Sequence, residues 1–238
     1  MTFYIFSIDG NIGSGKSTLL KLLSEKLKKI YGLPVIYLQE PVNDWIQLKD
    51  ENNSNLIENY YKNQEKWAFS FQITTLISRI ALLKKINNND NCIVLTERSI
   101  DTDKNVFCKM LYDDTLINHL NYNIYLKWYN EFIKDYPITG YIYIKTSPDK
   151  AFERVLKRKR KEEDGVPLDY LKKCNTYHEE WLNTKKIILT LNANKDIDTD
   201  ILPDEWEEEI ISFISDNVPK NEYEVLFKNY FMDFHPFC

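Results

Sequence analysis

The chain has 238 residues, of which 43% are hydrophobic, so it is long enough to bury a sizeable core as one large domain. Its formal net charge of −5 argues against a nucleic acid polymer as partner and favours a small anionic ligand for the local basic sites. No apolar run approaches the roughly 18 residues of a membrane span, and the first strand begins almost at Met1, so the sequence predicts a cytoplasmic protein without membrane partners.

The first predicted element is a strand, Phe3–Ile8, which leads through a glycine-rich turn into a helix, Ser17–Ile30. The turn has the spacing G-x-x-x-x-G-K-S and comprises Gly10, Asn11, Ile12, Gly13, Ser14, Gly15, Lys16, Ser17 and Thr18. Glycines let backbone N–H groups surround an anion, Lys16 reaches the outer phosphates, and the Ser17 hydroxyl can ligate Mg²⁺. The pattern therefore predicts a nucleotide-binding loop, and the alternative is a turn of the same shape without a ligand.

Two further strands end in charged residues. The strand Pro34–Leu38 runs into Glu40, and the strand Cys92–Leu95 runs into Glu97 and Arg98. The carboxyl ends of strands in an open α/β sheet are where ligands bind. Glu40 could accept the proton of an attacking hydroxyl, Glu97 could position Mg²⁺ or its waters, and Arg98 could hold phosphate or Glu40. Taken alone, Glu40 could also begin a loop and face water.

Helical and strand patterns alternate along the chain, which is typical of a doubly wound α/β fold. The two remaining predicted strands are Gly140–Ile144 and Ile187–Leu191. The clearest further helices are Lys66–Lys85, Asn123–Lys134, Pro148–Lys159 and Leu168–Leu182. We therefore expect one α/β domain with a five-stranded parallel sheet and helices on both faces.

The helix that begins at Pro148 is expected to carry an arginine-rich lid. Ser147 can cap this helix, and Arg154 and Arg158 lie four residues apart on one face, with Arg160 following. Cations that close over phosphates stabilise the charge on a transferring phosphoryl group. The alternative is a basic, solvated helix face.

The cysteines and histidines follow no metal-binding or disulfide pattern. They are Cys92, Cys108, Cys174 and Cys238, and His119, His178 and His235. We expect free thiols in a reducing compartment, structural histidines, and no metal site other than that of nucleotide-bound Mg²⁺.

Six motifs together resemble the deoxynucleoside kinases, the group that contains deoxycytidine kinase, deoxyguanosine kinase and mitochondrial-type thymidine kinase. They are "GNIGSGKST", "EPVNDW", "YYKNQEKWAFSFQ", "SR" at 78–79, "ERSIDTD" and "RKRKEEDGVPLDYL", in the family's order and spacing. The resemblance implies a P-loop kinase fold over residues 1–217, with 218–238 as a tail of unknown role. It also implies ATP as donor, Mg²⁺, a deoxynucleoside acceptor, nucleotide salvage and a homodimer.

The resemblance also implies roles for individual residues. Glu40 matches the general base for the nucleoside 5′-hydroxyl, Arg98 its supporting residue, and Glu97 the magnesium-associated carboxylate. The positions that match the acceptor pocket are Trp45, Tyr61, Phe71, Gln72, Phe107 and Glu163, of which Tyr61 and Glu163 match the pair that holds the sugar 3′-hydroxyl. The positions that match contacts to ATP beyond the loop are Arg154, Arg158, Arg160 and Asp196.

Arg79 and Asp103 match an arginine and an aspartate that the resemblance associates with kinases for deoxycytidine and the deoxypurines. An arginine held by an aspartate narrows the space for a thymine methyl group, so thymidine is expected to be a poor substrate. Thr75 is bulkier than the small residue that deoxycytidine kinase has at this position, so the order of preference among cytosine, adenine and guanine stays open.

Three other functions remain as alternatives. Thymidylate kinase shares the phosphate loop, although its acidic motif normally begins with Asp rather than with Glu97. A GTPase-type switch would need N-K-x-D, but 194–197 lacks the final Asp. An inactive structural subunit should have lost Lys16, Glu40 or the lid arginines.

The stretch 196–200 resembles the start of a calcium loop, but Ile201 occupies the position that requires Gly.

Overall fold

The computed structural model describes residues 3–86, 91–158, 166–196 and 201–219. Within these residues the fold is a three-layer α/β arrangement with a six-stranded sheet. The strands are β1 (Phe3–Asp9), β2 (Lys29–Ile30), β3 (Leu33–Leu38), β4 (Cys92–Glu97), β5 (Ile138–Lys145) and β6 (Ile188–Asn192). Their order across the sheet is β2-β3-β4-β1-β5-β6, so β1 with the glycine-rich turn lies near the centre.

All strand pairs except β2–β3 are parallel. The register places Ile8 beside Glu97 and Leu38 beside Thr96, so β1, β3 and β4 end at the same edge. Because β1 lies between β4 and β5, the chain reverses its direction of winding there. That reversal is the usual ligand position in an open α/β sheet.

The helices connect the strands and cover the sheet. They are α1 (Lys16–Lys26), α2 (Val42–Gln47), α3 (Leu56–Lys62), α4 (Gln64–Lys84), α5 (Ile100–Thr102), α6 (Lys109–Asp113), α7 (His119–Phe132), α8 (Pro148–Arg158), α9 (Leu168–Leu182) and α10 (Asp204–Asp216), with a π-helical turn at Asp103–Cys108. The four clearest predicted helices are present: α9 has the predicted bounds, α8 begins at the predicted residue, and α4 and α7 have shifted ends. For example, α7 begins at His119 because the Asn118 side chain caps it by accepting from Asn121 N–H.

The strand β1 shows why helices cover both faces. Phe6 and Ile8 belong to a buried cluster that includes residues of α1 and α10, whereas Ile5 packs with Leu83 of α4 on the opposite side. Successive side chains of a strand point to opposite faces, and a parallel sheet buries both of them. A third cluster joins α3, α4 and α7 beside the sheet.

The predicted strand count of five was wrong, because β2 adds a sixth strand within the described residues. The sequence placed Lys29 and Ile30 at the end of the first helix, but α1 ends at Lys26 and Leu27 is extended. The chain then turns at Tyr31 and Gly32, both with positive φ, and pairs antiparallel with β3. A two-residue strand is too short to give a periodic signal.

Cys92, Cys108 and Cys174 are buried and form no disulfide within the described residues, and Cys238 and His235 lie outside those residues. His178 is fully buried and its Nδ1–H donates to the carbonyl of Cys174 at 2.7 Å. Burial lowers the pKa of His178 to about 3. Across the described chain, the helices are too short or too polar to cross a membrane.

Candidate active site

The glycine-rich turn between β1 and α1 leaves a space that an anion can occupy. Gly13 has φ 79°, and a Cβ atom there would lie 2.3 Å from the carbonyl oxygen of Ala151. Gly15 has φ 100°, and a Cβ atom at that position would meet no atom within 4 Å. Both positions require a left-handed backbone that glycine adopts easily. Gly13 therefore permits close packing against α8, and Gly15 borders an open space at the N-terminus of α1.

Lys16 and Ser17 lie at this N-terminus. The Lys16 ammonium is buried and donates to the Asn11 carbonyl at 2.6 Å, and the Ser17 hydroxyl donates to the Glu97 carboxylate at 2.6 Å. Burial, and then the charge of Arg98, lower the pKa of Lys16 to about 7. An anionic phosphate placed beside it would favour the charged form. Serine and carboxylate oxygens are the ligand types that Mg²⁺ prefers, so the residues fit this metal.

Glu40 follows β3 and is held by two arginines. Arg98 Nη1 lies 3.0 Å from each carboxylate oxygen of Glu40, and Arg79 Nη2 also donates to Glu40. Burial alone would raise the pKa of Glu40, but the charges of Arg98, Arg79 and Lys16 outweigh it and lower the pKa to about 2. Glu40 is therefore ionised at neutral pH.

The backbone of Arg98 adopts a strained conformation, with φ 60°. Two hydrogen bonds hold it there, since Arg98 N–H donates to the Ile8 carbonyl at 3.0 Å and the Thr96 hydroxyl donates to the Arg98 carbonyl at 2.9 Å. Nε and Nη2 of Arg98 are buried without a hydrogen-bond partner among the described residues. Strain of this kind is found at functional sites, and unpaired buried donors favour an anionic ligand.

Arg79 of α4 joins three elements. Its Nε lies 2.8 Å from the Asp103 carboxylate, and its Nη1 donates to the Glu97 carbonyl at 2.7 Å, in addition to the contact with Glu40. Burial raises the pKa of Asp103 to about 6, against the opposing effect of Arg79. Arg79 is 5% exposed and lies behind the carboxylates, while Asp103 lines the cleft itself.

Aromatic rings line the cleft beside this network. Phe71 stacks on Tyr60 with ring centroids 4.5 Å apart, and Trp45 packs edge-on against Phe71 at 5.6 Å. Gln72 is buried in the same wall, and its Oε1 has no hydrogen-bond partner within the described residues. Apolar faces around a few placed polar groups are typical of a pocket for a planar ligand.

Phe107 completes this end of the cleft from the π-helical turn. Its ring lies 5.0 Å from the guanidinium carbon of Arg98 and packs edge-on against His178. The turn also carries Asp103 at its first position. Single π-helical turns are frequent at functional sites. Here the turn directs an acidic and an aromatic residue to the same cleft.

Arg154 of α8 is fixed at the other end of the cleft. Its guanidinium donates to the Ala193 carbonyl at 2.8 Å, the Lys195 carbonyl at 3.0 Å, the Ser14 carbonyl at 3.5 Å and the Asp196 carboxylate at 3.1 Å. Arg154 therefore belongs to the fixed wall, although the sequence predicted a lid residue. Arg158 lines the cleft at the end of α8. The predicted Arg160 and Glu163 lie outside the described residues.

These parts border one cleft of about 980 Å³. The predicted site residues that line it are Ile12, Gly13, Ser14, Gly15, Lys16, Ser17, Thr18, Glu40, Trp45, Tyr61, Phe71, Gln72, Glu97, Arg98, Asp103, Phe107, Arg154, Arg158 and Asp196. Gly10 and Asn11 belong to the loop but do not line the cleft, and the Asn11 side-chain amide donates to the Leu171 carbonyl at 2.8 Å. The cleft is large enough for two small molecules that meet at Lys16 and Glu40.

The matching family model is that of the deoxynucleoside kinases, and it covers residues 6–218. The probable deoxycytidine kinase of fowlpox virus is 38% identical over 80% of this chain and 79% of its own length. Deoxycytidine kinase 2 of chicken (Gallus gallus) is 33% identical over 88% of this chain and 89% of its own length. Human deoxycytidine kinase is 30% identical over 80% of this chain and 84% of its own length.

The chain belongs to the deoxynucleoside kinase family. The protein is therefore a phosphotransferase, and membership in a kinase family implies ATP as the phosphate donor. The P-loop kinase fold expected from the resemblance is confirmed.

Sequence reasoning missed several residues that line the cleft of this deoxynucleoside kinase. They are Gln39, Val42, Asn43, Ile46, Ile57, Tyr60, Lys157, Tyr170, Ala193, Lys195 and Trp206. The sequence contains one signal for Ile57 and Tyr60, which lie in α3. Asn55 and Glu58 have the spacing of a capping box, which predicts that a helix begins there. No local pattern predicts Tyr170 or Trp206, since their helices reach the cleft only through tertiary packing.

Proposed function

We propose that the protein transfers the γ-phosphoryl group of ATP to the 5′-hydroxyl of a 2′-deoxynucleoside and accepts deoxycytidine, deoxyadenosine or deoxyguanosine better than thymidine. The observation that carries this proposal is the placement of Glu40. Its ionised carboxylate lies between Arg98 and Arg79, in a cleft that also holds Lys16 of the phosphate loop and an aromatic pocket. A hydroxyl that binds at Glu40 would face a phosphate at Lys16.

The residues have distinct roles in this proposal. Glu40 accepts a hydrogen bond from the 5′-hydroxyl, orients it, and takes its proton as the phosphoryl group transfers. Phosphoryl transfer passes through a loose transition state, so orientation matters more than a strong base, which agrees with the low pKa of Glu40. Lys16 and Arg98 stabilise the charge of the transferring group, and Arg158, together with Arg160, adds to this.

Ser17 and Glu97 are the residues that would hold Mg²⁺, because their oxygen atoms already lie within hydrogen-bond distance of each other. The ion, when bound with ATP, supplies positive charge to the phosphate oxygens.

The acceptor base would lie between the aromatic faces of Trp45, Phe71 and Phe107, with Gln72 at its edge. Gln72 Oε1 supports this, because it has no hydrogen-bond partner among the described residues and a buried acceptor without a partner is costly unless a ligand supplies a donor. Arg79 and Asp103 would restrict the space near position 5 of a pyrimidine. Tyr61 lines the cleft near Tyr170 and, with Glu163, would hold the 3′-hydroxyl.

The test is the initial phosphorylation rate with Mg·ATP against deoxycytidine, deoxyadenosine, deoxyguanosine, thymidine and dTMP, measured in parallel. We expect turnover of at least one of the first three nucleosides and little of thymidine. If thymidine were the best substrate, the proposed role of Arg79 and Asp103 would be wrong. Phosphorylation of dTMP alone would indicate a thymidylate kinase, and no turnover of any acceptor would indicate a structural subunit.

We also propose that two copies associate through α4 and α7. Leu120, Ile124 and Trp128 of α7 are spaced four residues apart, and Leu120 is 69% and Trp128 48% exposed. Ile77 of α4, the helix that packs with α7 in one cluster, is 56% exposed. Large apolar side chains that form a continuous exposed stripe are typical of protein interfaces.

Light scattering after gel filtration tests this association. We expect a mass near twice 28.4 kDa for the unchanged chain. The double variant Leu120→Lys, Trp128→Lys should be a monomer, and Ile201→Lys, which changes another exposed apolar residue, should stay a dimer. A monomeric unchanged chain would refute the proposal.

A further inference from the structure

The aromatic residues that line the cleft are unevenly distributed. Six of the seven among the described residues belong to the acceptor end: Trp45, Tyr60, Tyr61, Phe71, Phe107 and Tyr170. The seventh is Trp206 of α10, which packs against the core cluster that contains Ala193 and Leu202. Trp206 lies near the start of α10 and lines the same cleft as Arg154 and Asp196.

The surroundings of Trp206 are held in place. The Lys26 ammonium at the end of α1 lies 3.5 Å from the Asp204 carboxylate and also pairs with Glu207, which ties the first turn of α10 to the helix of the phosphate loop. Arg154 binds the carbonyls of Ala193 and Lys195 and also that of Ser14. The start of α10 and the end of β6 are therefore each connected to the phosphate loop or to its helix.

We infer that Trp206 is the residue against which the base of the phosphate donor packs. A nucleoside triphosphate with its phosphates at Lys16 must place its base along the remaining cleft wall, away from the acceptor at Glu40. Among the described residues that line this part of the cleft, Trp206 is the aromatic residue that a base can contact. Stacking of a base on an aromatic ring contributes enough binding energy for its loss to be measurable.

The inference rests on the proposed function, because it assumes that the loop holds a nucleoside triphosphate. It differs from the expectation for Asp196, since a carboxylate can only accept hydrogen bonds from the base edge, whereas an indole ring contacts its face. A purine has a larger face than a pyrimidine, so a role for Trp206 predicts tighter binding of ATP than of UTP.

The experiment is calorimetric titration with ATP and with tripolyphosphate, which has the phosphates but no base, in the absence of a nucleoside. Trp206→Ala and Trp206→Leu should weaken ATP binding by about 5- to 100-fold. They should change the affinity for tripolyphosphate less than about twofold, because the phosphate loop is intact. Trp206→Phe should retain most of the ATP affinity. Glu208→Ala, at an exposed position of the same helix, is the matched control.

Two results would overturn the inference. In the first, Trp206→Leu binds ATP as tightly as the unchanged chain. In the second, ATP and tripolyphosphate lose affinity together, which would mean that Trp206 only supports the packing of α1. The phosphorylation assay separates this inference from the proposed function: an unchanged chain that binds ATP through Trp206 but phosphorylates no nucleoside would refute the proposed function alone.

Discussion

The phosphate loop and the ion-pair network beside the acceptor pocket are built differently. The loop from Gly10 to Thr18 is continuous in the chain, and its shape depends on backbone conformation and on close packing at Gly13. The network joins Glu40 after β3, Arg79 in α4 and Asp103 in the π-helical turn through buried side chains. We therefore expect substitutions that add side-chain volume to disrupt the loop, and substitutions that remove a charge to disrupt the network.

The largest expected effect is that of Glu40→Gln. An amide keeps the size of the side chain but cannot take the hydroxyl proton, so kcat should fall by about 10²- to 10⁴-fold. Nucleoside affinity should stay largely unchanged, because the aromatic pocket is intact. Steady-state kinetics and equilibrium binding measure the two effects, with the exposed Glu51→Gln as the matched control. Near-normal turnover would remove Glu40 as the base.

The next effect concerns the pair of Arg79 and Asp103. Asp103→Ala removes a negative charge from beside the buried Arg79 guanidinium, which should lower the free energy of unfolding by about 3 kcal/mol. Adding Arg79→Met should cost little more, since the two residues act as a unit. The double variant should also accept thymidine with kcat/KM raised about tenfold or more, because space opens beside the base.

Urea unfolding and thymidine kinetics test this pair of predictions. Additive losses of stability would show that the two side chains do not depend on each other. Thymidine activity that did not rise in a folded double variant would contradict the proposed base selection.

A smaller effect separates two glycines of the loop. Gly13→Ala combines a left-handed φ with a Cβ only 2.3 Å from a backbone carbonyl, so it should lower the free energy of unfolding by about 3 kcal/mol. Gly15→Ala has the same kind of strain but no steric clash and should cost about 1 kcal/mol. Thermal or urea unfolding gives both values, and equal losses would show that packing against α8 is unimportant.

The smallest effect is a pH dependence of base selection. Asp103 has a pKa of about 6 in the fold, above its ordinary value of 3.8, so it binds a proton more tightly folded than unfolded. Its contribution to stability is complete below about pH 4 and is lost as the pH rises through 6. Below pH 6 the neutral carboxyl restrains Arg79 less.

The ratio of thymidine to deoxycytidine turnover should therefore rise a few-fold between pH 7.5 and pH 5.5, following the protonation of Asp103. Asp103→Asn should give a ratio that does not change over this range, because an amide does not titrate. A ratio that is constant in the unchanged chain would show that Asp103 keeps its charge throughout.

The amino-acid sequence determined the strand–loop–helix of the phosphate site, because its signals are local: an apolar strand, glycines at fixed spacing and a helical period. It also predicted five strands, four long helices and the ends of β3 and β4 as the place of Glu40 and Glu97. The strand β2 was missed because a two-residue strand depends on pairing with β3 rather than on its own pattern.

The sequence led us to expect Arg79 beside Asp103 and Arg98 beside Glu40, but only the tertiary structure decided the other contacts of the charged residues. Nothing local indicates that Arg79 binds Glu40, Asp103 and the Glu97 carbonyl at once, or that Arg154 is fixed to Ser14 and to the end of β6. Such contacts join residues far apart in the chain, and burial then sets their strength and shifts the pKa of Glu40 and Asp103 in opposite directions. Trp206 reaches the cleft for the same reason, because packing of α10 against α1 places it there.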